Sequence, residues 1–390
     1  MGGLLLWGGT ISIGFSTVVL LAILSRHLHS RGFSNLSTLF GLFFIASLIP
    51  SGVPLRAAAL VSDGKAPLRM TARHIGMLLA AGAASSPLIA YLLHIPVVAV
   101  AFVAAQVIVA IPLVIKRGSL IASERFSALG GNMFLEGGTR ILLGTALGLV
   151  WGMSGLAAGL ALATAVAWTA VPGGSSAKTP ILRAMTSMFD TWLTLVLLGV
   201  FVQLDILVAP SGLSKAAAIK YDLAAVPSKG VYLVLVAVGT FIFPYIRQHA
   251  QRKLIVMATG VTLLLGLAIT AILLALRDFT GHVLGQHVSS PFLLLALGAA
   301  MSIGGATGVI VNGDIALGAK RPWPPFLLGI AAIMACWSTG PSPRTFALTV
   351  LAAQGGVMII TLTVCMVRRH HQRPTSEQTP LSAELSADSP

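Results

Sequence analysis

Long apolar segments dominate this sequence and determine the class of fold that it can adopt. Twelve runs follow one another along the chain, and all but the short eleventh are about as long as an α-helix must be to cross ~30 Å of hydrocarbon. Only 9% of the 390 residues are charged, compared with about 25% in soluble domains, so lipid must solvate most of the surface. The runs cover roughly 4–25, 38–60, 73–93, 95–115, 131–150, 153–171, 187–208, 223–245, 253–275, 291–312, 325–340 and 345–367. The sequence therefore predicts an all-α integral membrane protein with about 12 transmembrane helices.

The distribution of Lys and Arg predicts the orientation in the membrane. Seventeen of these residues lie in alternate connections and in the C-terminal tail, six lie in the other connections, and Arg140 and Lys229 remain inside runs. Because cytoplasmic loops are enriched in Lys and Arg, we expect a multi-pass protein of the inner (plasma) membrane with both termini in the cytoplasm. The net charge of +14 is scattered singly between apolar runs, which argues against a nucleic-acid partner.

A segment rich in Pro, Gly and Ser divides the runs into two groups of six. We predict an N-terminal lobe at 1–171, a cytoplasmic linker at 172–186, a C-terminal lobe at 187–367 and a disordered tail at 368–390. Arg73 opens the third run and Lys253 opens the ninth, an offset of 180 residues. Such spacing is typical of a parallel repeat, although a chance recurrence is the alternative.

Ionisable residues within the runs are the candidate site residues, because a charge at the centre of a bilayer costs on the order of 2.5–3.5 kcal/mol. Glu136 and Arg140 are four residues apart and therefore share one face of a helix. They form either a self-neutralising pair or part of a cavity. Asp190 lies near the start of the seventh run.

Asp205 and Lys229 are expected at similar depth on the seventh and eighth runs, where they can pair across the two helices. A lone Lys at that depth requires either a partner or a wet cavity. A water-filled cavity and a dry structural pair both satisfy this requirement. We expect Arg140, Asp205 and Lys229 to face a cavity, with Glu136 and Asp190 near its cytoplasmic mouth.

The sequence contains no pattern that indicates an enzyme, a cofactor or a metal site. The glycines between Gly304 and Gly308 lie within an apolar run, where small residues allow close helix packing. The two cysteines, Cys336 and Cys365, also lie within apolar runs, away from any metal-ligand spacing. We expect a protein that is not an enzyme and that holds no metal.

The stretch from Phe201 to Tyr245 carries a recognisable pattern. An Asp-containing segment at 202–208 ends the seventh run, Leu213-Ser214 and Tyr221 follow, and Phe243-Pro244 closes the eighth. This pattern resembles polysaccharide exporters of the multidrug/oligosaccharidyl-lipid/polysaccharide (MOP) superfamily. In the first half, Gly32-Phe33-Ser34 and the segment 135–144 are similar to the family's outer loop and fifth helix. The family's acidic-Gly pair before the tyrosine is replaced here by Ala218-Ile219-Lys220.

This resemblance implies two six-helix lobes around a central cavity and the transport of a polyprenyl-linked oligosaccharide or polysaccharide precursor by alternating access. Its implied partners are the lipid-linked sugar, membrane lipid, and glycosyltransferases or a polymerase of an envelope polysaccharide pathway, with coupling to H⁺ or Na⁺ left open. One alternative is a multidrug exporter of the same superfamily, a type that often carries a carboxylate and a proline in its first helix. The first run here has neither. A second alternative is a non-transporting membrane scaffold in an envelope-polysaccharide complex.

Overall fold

The computed structural model describes residues 2–27, 30–50, 53, 68–69, 72–171, 179–180, 189–249, 251–279, 290–317 and 323–367. Eleven α-helices have both ends in this part of the chain. They are α1 (Gly2–His27), α2 (Ser30–Leu48), α3 (Ala72–Leu93), α4 (Val97–Ala122), α5 (Phe126–Ala170), α6 (Phe189–Gly212), α7 (Lys215–His249), α8 (Arg252–Ala275), α9 (Pro291–Ala316), α10 (Pro324–Ser338) and α11 (Pro343–Val367). Two-residue strands β1 (Leu68–Arg69) and β2 (Thr179–Pro180) pair in parallel.

Helix α5 consists of two arms that meet at Gly152, which has φ 60° and ψ −137°. This left-handed backbone favours glycine, because a Cβ is disfavoured there. The arms fold back on each other, so that a Cβ on Gly159 would lie 2.5 Å from the carbonyl oxygen of Leu143. With the two arms counted separately, the described residues form twelve helical segments. The predicted all-α architecture and helix number are confirmed.

Three predicted helix boundaries are wrong in a consistent direction. Helix α2 begins at Ser30 rather than at 38, α4 continues to Ala122 rather than ending at 115, and α7 begins at Lys215 rather than at 223. Each helix extends past its apolar run, because backbone hydrogen bonding continues where side chains become polar. The predicted continuation of the second run to 60 lies largely outside the described residues.

The exposed surface of the helices is apolar, as a bilayer requires. Leu142, Val150 and Leu264 are about 70% exposed, and the chain is a multi-pass membrane protein. By length and composition, seven of the helices in the described ranges can cross a membrane, and three shorter apolar helices lie in α1, α2 and α10. Such a surface is stable only against lipid.

The helices form two lobes with matching internal contacts. Within the first lobe α1 packs on α2 and α5, and α4 packs on α2, α3 and α5. The second lobe repeats these contacts, with α6 packing on α7 and α10, and α9 packing on α7, α8 and α11. Between the lobes α1 contacts α7, α2 contacts α6, and α2 contacts α7. This is the contact pattern that an internal two-fold repeat generates.

The strand pair joins the two connections that precede α3 and α6. Leu68 pairs with Thr179, and Arg69 pairs with Pro180. Both connections therefore reach the same end of the helices, in agreement with the alternation of loop charge. Most of the predicted linker, and the whole tail from 368, lie outside the described residues.

We predict that the turn between α4 and α5 faces the cytoplasm and that the turn between α6 and α7 faces outward. Ser123 and Ser214 are exposed in these turns. In a background in which Cys336 and Cys365 are replaced by Ser, a membrane-impermeant maleimide should label Ser214→Cys on intact cells. It should label Ser123→Cys only after permeabilisation. The reverse pattern would contradict the orientation.

Candidate functional site

A small cavity of about 40 Å³ lies between the two lobes. Its wall is formed by α1, α2, α6 and α7, the helices that make the contacts between lobes. Most of the lining is apolar, including Val18, Phe40 and Ile206. The volume accommodates water molecules but is too small for a sugar or a drug.

Four polar side chains line the interlobe cavity. Lys229 of α7 supplies a cation, and Gln203 of α6, Ser37 of α2 and Thr17 of α1 supply neutral polar groups. Ser37 is only 1% exposed, and its Oγ has no hydrogen-bond partner among the described residues. An unpaired buried hydroxyl in a cavity wall is available to a water molecule or to a polar ligand.

Lys229 is held by a buried network between α6 and α7. Its Nζ donates to Asp205 Oδ1 at 2.5 Å and also to the carbonyl oxygen of Val202. The other carboxylate oxygen of Asp205 accepts a hydrogen bond from Tyr221 Oη at 2.8 Å. The predicted Asp205–Lys229 pair is therefore confirmed. Lys229 lies at the wall of the interlobe cavity, whereas Asp205 lies behind it and is 1% exposed.

The interlobe cavity is closed at the predicted cytoplasmic end by contacts between α2 and the helices of the second lobe. Phe44 and Tyr232 form an edge-to-face ring pair with centroids 5.7 Å apart. Leu48 packs directly on Gly199, where an added Cβ would lie 1.6 Å from Leu48 Cδ1. Trp192 Nε1 donates to the carbonyl oxygen of Ile49 at 2.7 Å. These contacts must break before the cavity can open towards this end.

A second ionic cluster lies inside the first lobe. Glu136 accepts hydrogen bonds from Arg140 at 2.5 Å and from Arg117 at 2.6 Å, so the predicted Glu136–Arg140 pair is confirmed. Arg117 also donates twice to Asn132 Oδ1, and Asn132 Nδ2 donates to the carbonyl oxygen of Ala167. This cluster joins α4 to both arms of α5. Arg117 was not predicted from the sequence as a site residue, because the apolar run at roughly 95–115 ends before it.

The two arginines and one glutamate give this cluster a formal charge of +1. Arg140 is 6% exposed, stacks its guanidinium 5.1 Å from the ring centroid of Phe43, and has no hydrogen-bond partner for Nε among the described residues. Phe43 neighbours Phe44, which lines the interlobe cavity. Neither Arg140 nor Glu136 lines that cavity itself.

Asp190 lies in the first turn of α6 and is partly buried. Its backbone oxygen accepts from Thr194 Oγ1 at 2.6 Å. The structure therefore pairs Asp205 with Lys229, of which only Lys229 lines the cavity, and pairs Glu136 with Arg140 inside the first lobe. Roles in binding for all five remain predictions. Gln203, Ser37 and Thr17 were not predicted, because a search for ionisable residues passes over neutral ones, although Gln203 lies within the quoted family motif.

The fold of the chain is shared by solved membrane transporters. No family model and no curated protein matches the sequence. One of the solved transporters is the lipid II flippase MurJ in an inward closed conformation. The alignment covers 92% of this chain and 87% of the MurJ chain, with a TM-score of 0.63 and 12% sequence identity. The chain has the fold of the MOP superfamily.

Two further structures extend this similarity to other transporters. An inward-facing multidrug resistance MATE family transporter of the MOP superfamily aligns with 91% of this chain and 94% of its own, at a TM-score of 0.66 and 10% identity. A MOP superfamily transporter from Pyrococcus furiosus, described as having a binding pocket of reverse polarity, aligns with 94% of this chain and 98% of its own, at a TM-score of 0.59 and 13% identity. These neighbours are transporters rather than enzymes.

We predict that Asp205 and Lys229 do not contribute independently to the free energy of unfolding. Removing one partner leaves an uncompensated buried charge, so Lys229→Met or Asp205→Asn should each lower the unfolding free energy by about 3–5 kcal/mol. The double variant should recover most of that loss. Thermal unfolding in detergent measures this cycle, with Lys220→Met, an exposed lysine on the same helix, as control. Additive losses in the double variant would contradict the coupling.

Proposed function

We propose that this protein flips a polyprenyl-linked oligosaccharide or polysaccharide precursor across the cytoplasmic membrane. The observation that carries this proposal is the buried cation Lys229 at the wall of a cavity between two lobes of transporter fold. Cargo of this class carries a pyrophosphate between its sugar and its lipid. A cation in a low-dielectric site binds such a group strongly, and an ammonium holds it as a point charge that can release it.

The neutral groups beside Lys229 fit the sugar part of this cargo. Gln203, Ser37 and Thr17 offer both donors and acceptors on three different helices. The polyprenyl tail would stay in lipid between the lobes while the head group crosses through the cavity. Arg140 adds positive charge behind Phe43, and Glu136 and Asp190 would line the path on the cytoplasmic side when the lobes separate.

The pairing of Lys229 suggests how cargo and conformation are coupled. In this structure Asp205 neutralises Lys229. The cargo pyrophosphate would compete with Asp205 for the same cation, so binding would weaken a link between α6 and α7. A change in pairing that differs between open and closed states shifts the population of those states. H⁺ or Na⁺ would supply the driving force, and glycosyltransferases or a polymerase of an envelope polysaccharide pathway would supply and consume the cargo.

A multidrug exporter is the second candidate, and the similarity to a MATE transporter supports it. Against it, α1 contains neither Asp, Glu nor Pro, whereas such extruders often use a carboxylate and a proline in their first helix. A membrane scaffold that does not transport is the third candidate. It requires no ligand at Lys229 or Ser37.

A reconstituted flipping assay tests the proposal. We predict that Lys229→Gln reduces the transfer of a fluorescent polyprenyl-pyrophosphoryl sugar across proteoliposomes at least tenfold, because the pyrophosphate loses its cation. Asp205→Asn should bind the cargo but turn over more slowly. Lys220→Gln, which changes an exposed lysine on the same helix, should transport at the wild-type rate.

The same vesicles distinguish the candidates. Wild-type transfer by Lys229→Gln at equal protein levels would remove the proposed mechanism. Export of cationic dyes without transfer of the lipid-linked sugar would favour the multidrug exporter. The absence of both activities in the wild type, with binding to glycosyltransferases retained, would favour the scaffold.

A further inference from the structure

A second, larger cavity lies on the outside of the first lobe and shares none of its described lining residues with the interlobe cavity. It has a volume of about 230 Å³ and is formed where α4 ends, the first arm of α5 begins and the second arm ends. Its wall includes Leu120, Ala128, Gly131, Leu135 and Ala170. We call this cavity the lateral groove.

The mouth of the lateral groove opens on the part of the surface that faces lipid. Gly131 and Ala170 are exposed, and Leu135 is 39% exposed. Neighbouring side chains on α5 are exposed and apolar, including Phe134 and Leu142. In a bilayer, the material in contact with such a face is the acyl region of lipid rather than water.

The interior of the lateral groove is unsuited to water. Among the described residues of its wall, Asn132 is the one with a polar side chain, and it is 8% exposed. The carbonyl oxygen of Asn132 already accepts two hydrogen bonds from Arg117, and its amide donates to Ala167. A water molecule needs two to four polar partners, so an apolar space of this kind stays dry or takes an apolar ligand.

One end of the lateral groove carries positive charge. The Lys116 ammonium lies 2.8 Å from the carbonyl oxygen of Val171, a residue of the groove wall, and 5.5 Å from the ring centroid of Trp168. Arg125 is exposed three residues before Ala128, at the start of α5. Basic and aromatic residues at helix ends are typical of the boundary between hydrocarbon and head groups. The cations at this level complement a phosphate.

We propose that the lateral groove binds an acyl chain of an anionic phospholipid, with the lipid phosphate at the end marked by Lys116 and Arg125. The apolar wall selects the chain, and the two cations select the head-group charge. Through Asn132, which is hydrogen bonded to Arg117, the bound chain would also contact the side of the buried Arg117–Glu136–Arg140 cluster. The groove is separate from the interlobe cavity, so this inference does not depend on the cargo that the protein transports.

Two glycines on α5 give a matched pair of variants. Gly131 and Gly138 are both exposed, lie seven residues apart and have open space where a Cβ would stand. Only Gly131 lines the lateral groove. Gly131→Leu should therefore fill the groove, while Gly138→Leu adds the same side chain to the same helix outside it. Equal melting temperatures in detergent would show that both variants fold.

Native mass spectrometry of the delipidated protein, titrated with phosphatidylglycerol or phosphatidylcholine, tests the proposal. Wild type and Gly138→Leu should retain one tightly bound phosphatidylglycerol, and Gly131→Leu should lose it. Arg125→Gln should weaken phosphatidylglycerol binding about fivefold and leave phosphatidylcholine unchanged, as expected for about 1 kcal/mol per cation near a lipid surface. Equal lipid retention in all variants, equal affinity for both lipids, or occupancy by a polyprenyl phosphate in preference to phosphatidylglycerol would overturn it.

Discussion

The cost of an unpaired charge in hydrocarbon governs the interior of this protein. Asp205 is satisfied by Lys229 and Tyr221, and Glu136 is satisfied by Arg117 and Arg140. Each network links successive helices of one lobe, because no single helix can supply all the partners that a buried carboxylate needs. The networks therefore also hold helices together. One joins α6 to α7, and the other joins α4 to both arms of α5.

The two networks differ in the charge that they leave over. Asp205 and Lys229 balance one another, while the cluster around Glu136 retains one positive charge. Continuum reasoning gives such an excess a high cost unless an anion compensates it. The stacking of Arg140 on Phe43 recovers part of this cost, since a cation over an aromatic face is worth about 0.5–2 kcal/mol. Of the two networks, only the one around Asp205 places its cation at the wall of the interlobe cavity.

Small residues determine how closely the lobes approach. At contacts between the lobes, Leu48 packs against Gly199, Ile206 packs against Gly41, and Leu233 packs against Gly14. Where side chains are this small, van der Waals packing rather than hydrogen bonding holds the helices together, and lipid provides no hydrophobic force to assist. Separating such an interface breaks mainly van der Waals contacts, which suits lobes that rock against each other. A hydrogen bond from Trp192 to Ile49 adds a polar link at this end.

The amino-acid sequence by itself determined the class of fold, the number of helices and the pairs Asp205–Lys229 and Glu136–Arg140. Hydrocarbon thickness, helical rise and the cost of charge act locally and can be evaluated from spacing alone. Only the tertiary structure revealed that Arg117 joins Glu136, that Tyr221 joins Asp205, and that Ser37, Gln203 and Thr17 share a cavity with Lys229. Which side chains meet depends on how the helices rotate and pack, both between successive helices and between the two lobes. Neutral polar side chains also carry too small an insertion cost to be distinguished in sequence. Whether Lys229 faces water or a dry partner was likewise undecidable from spacing, because that depends on how closely two lobes pack.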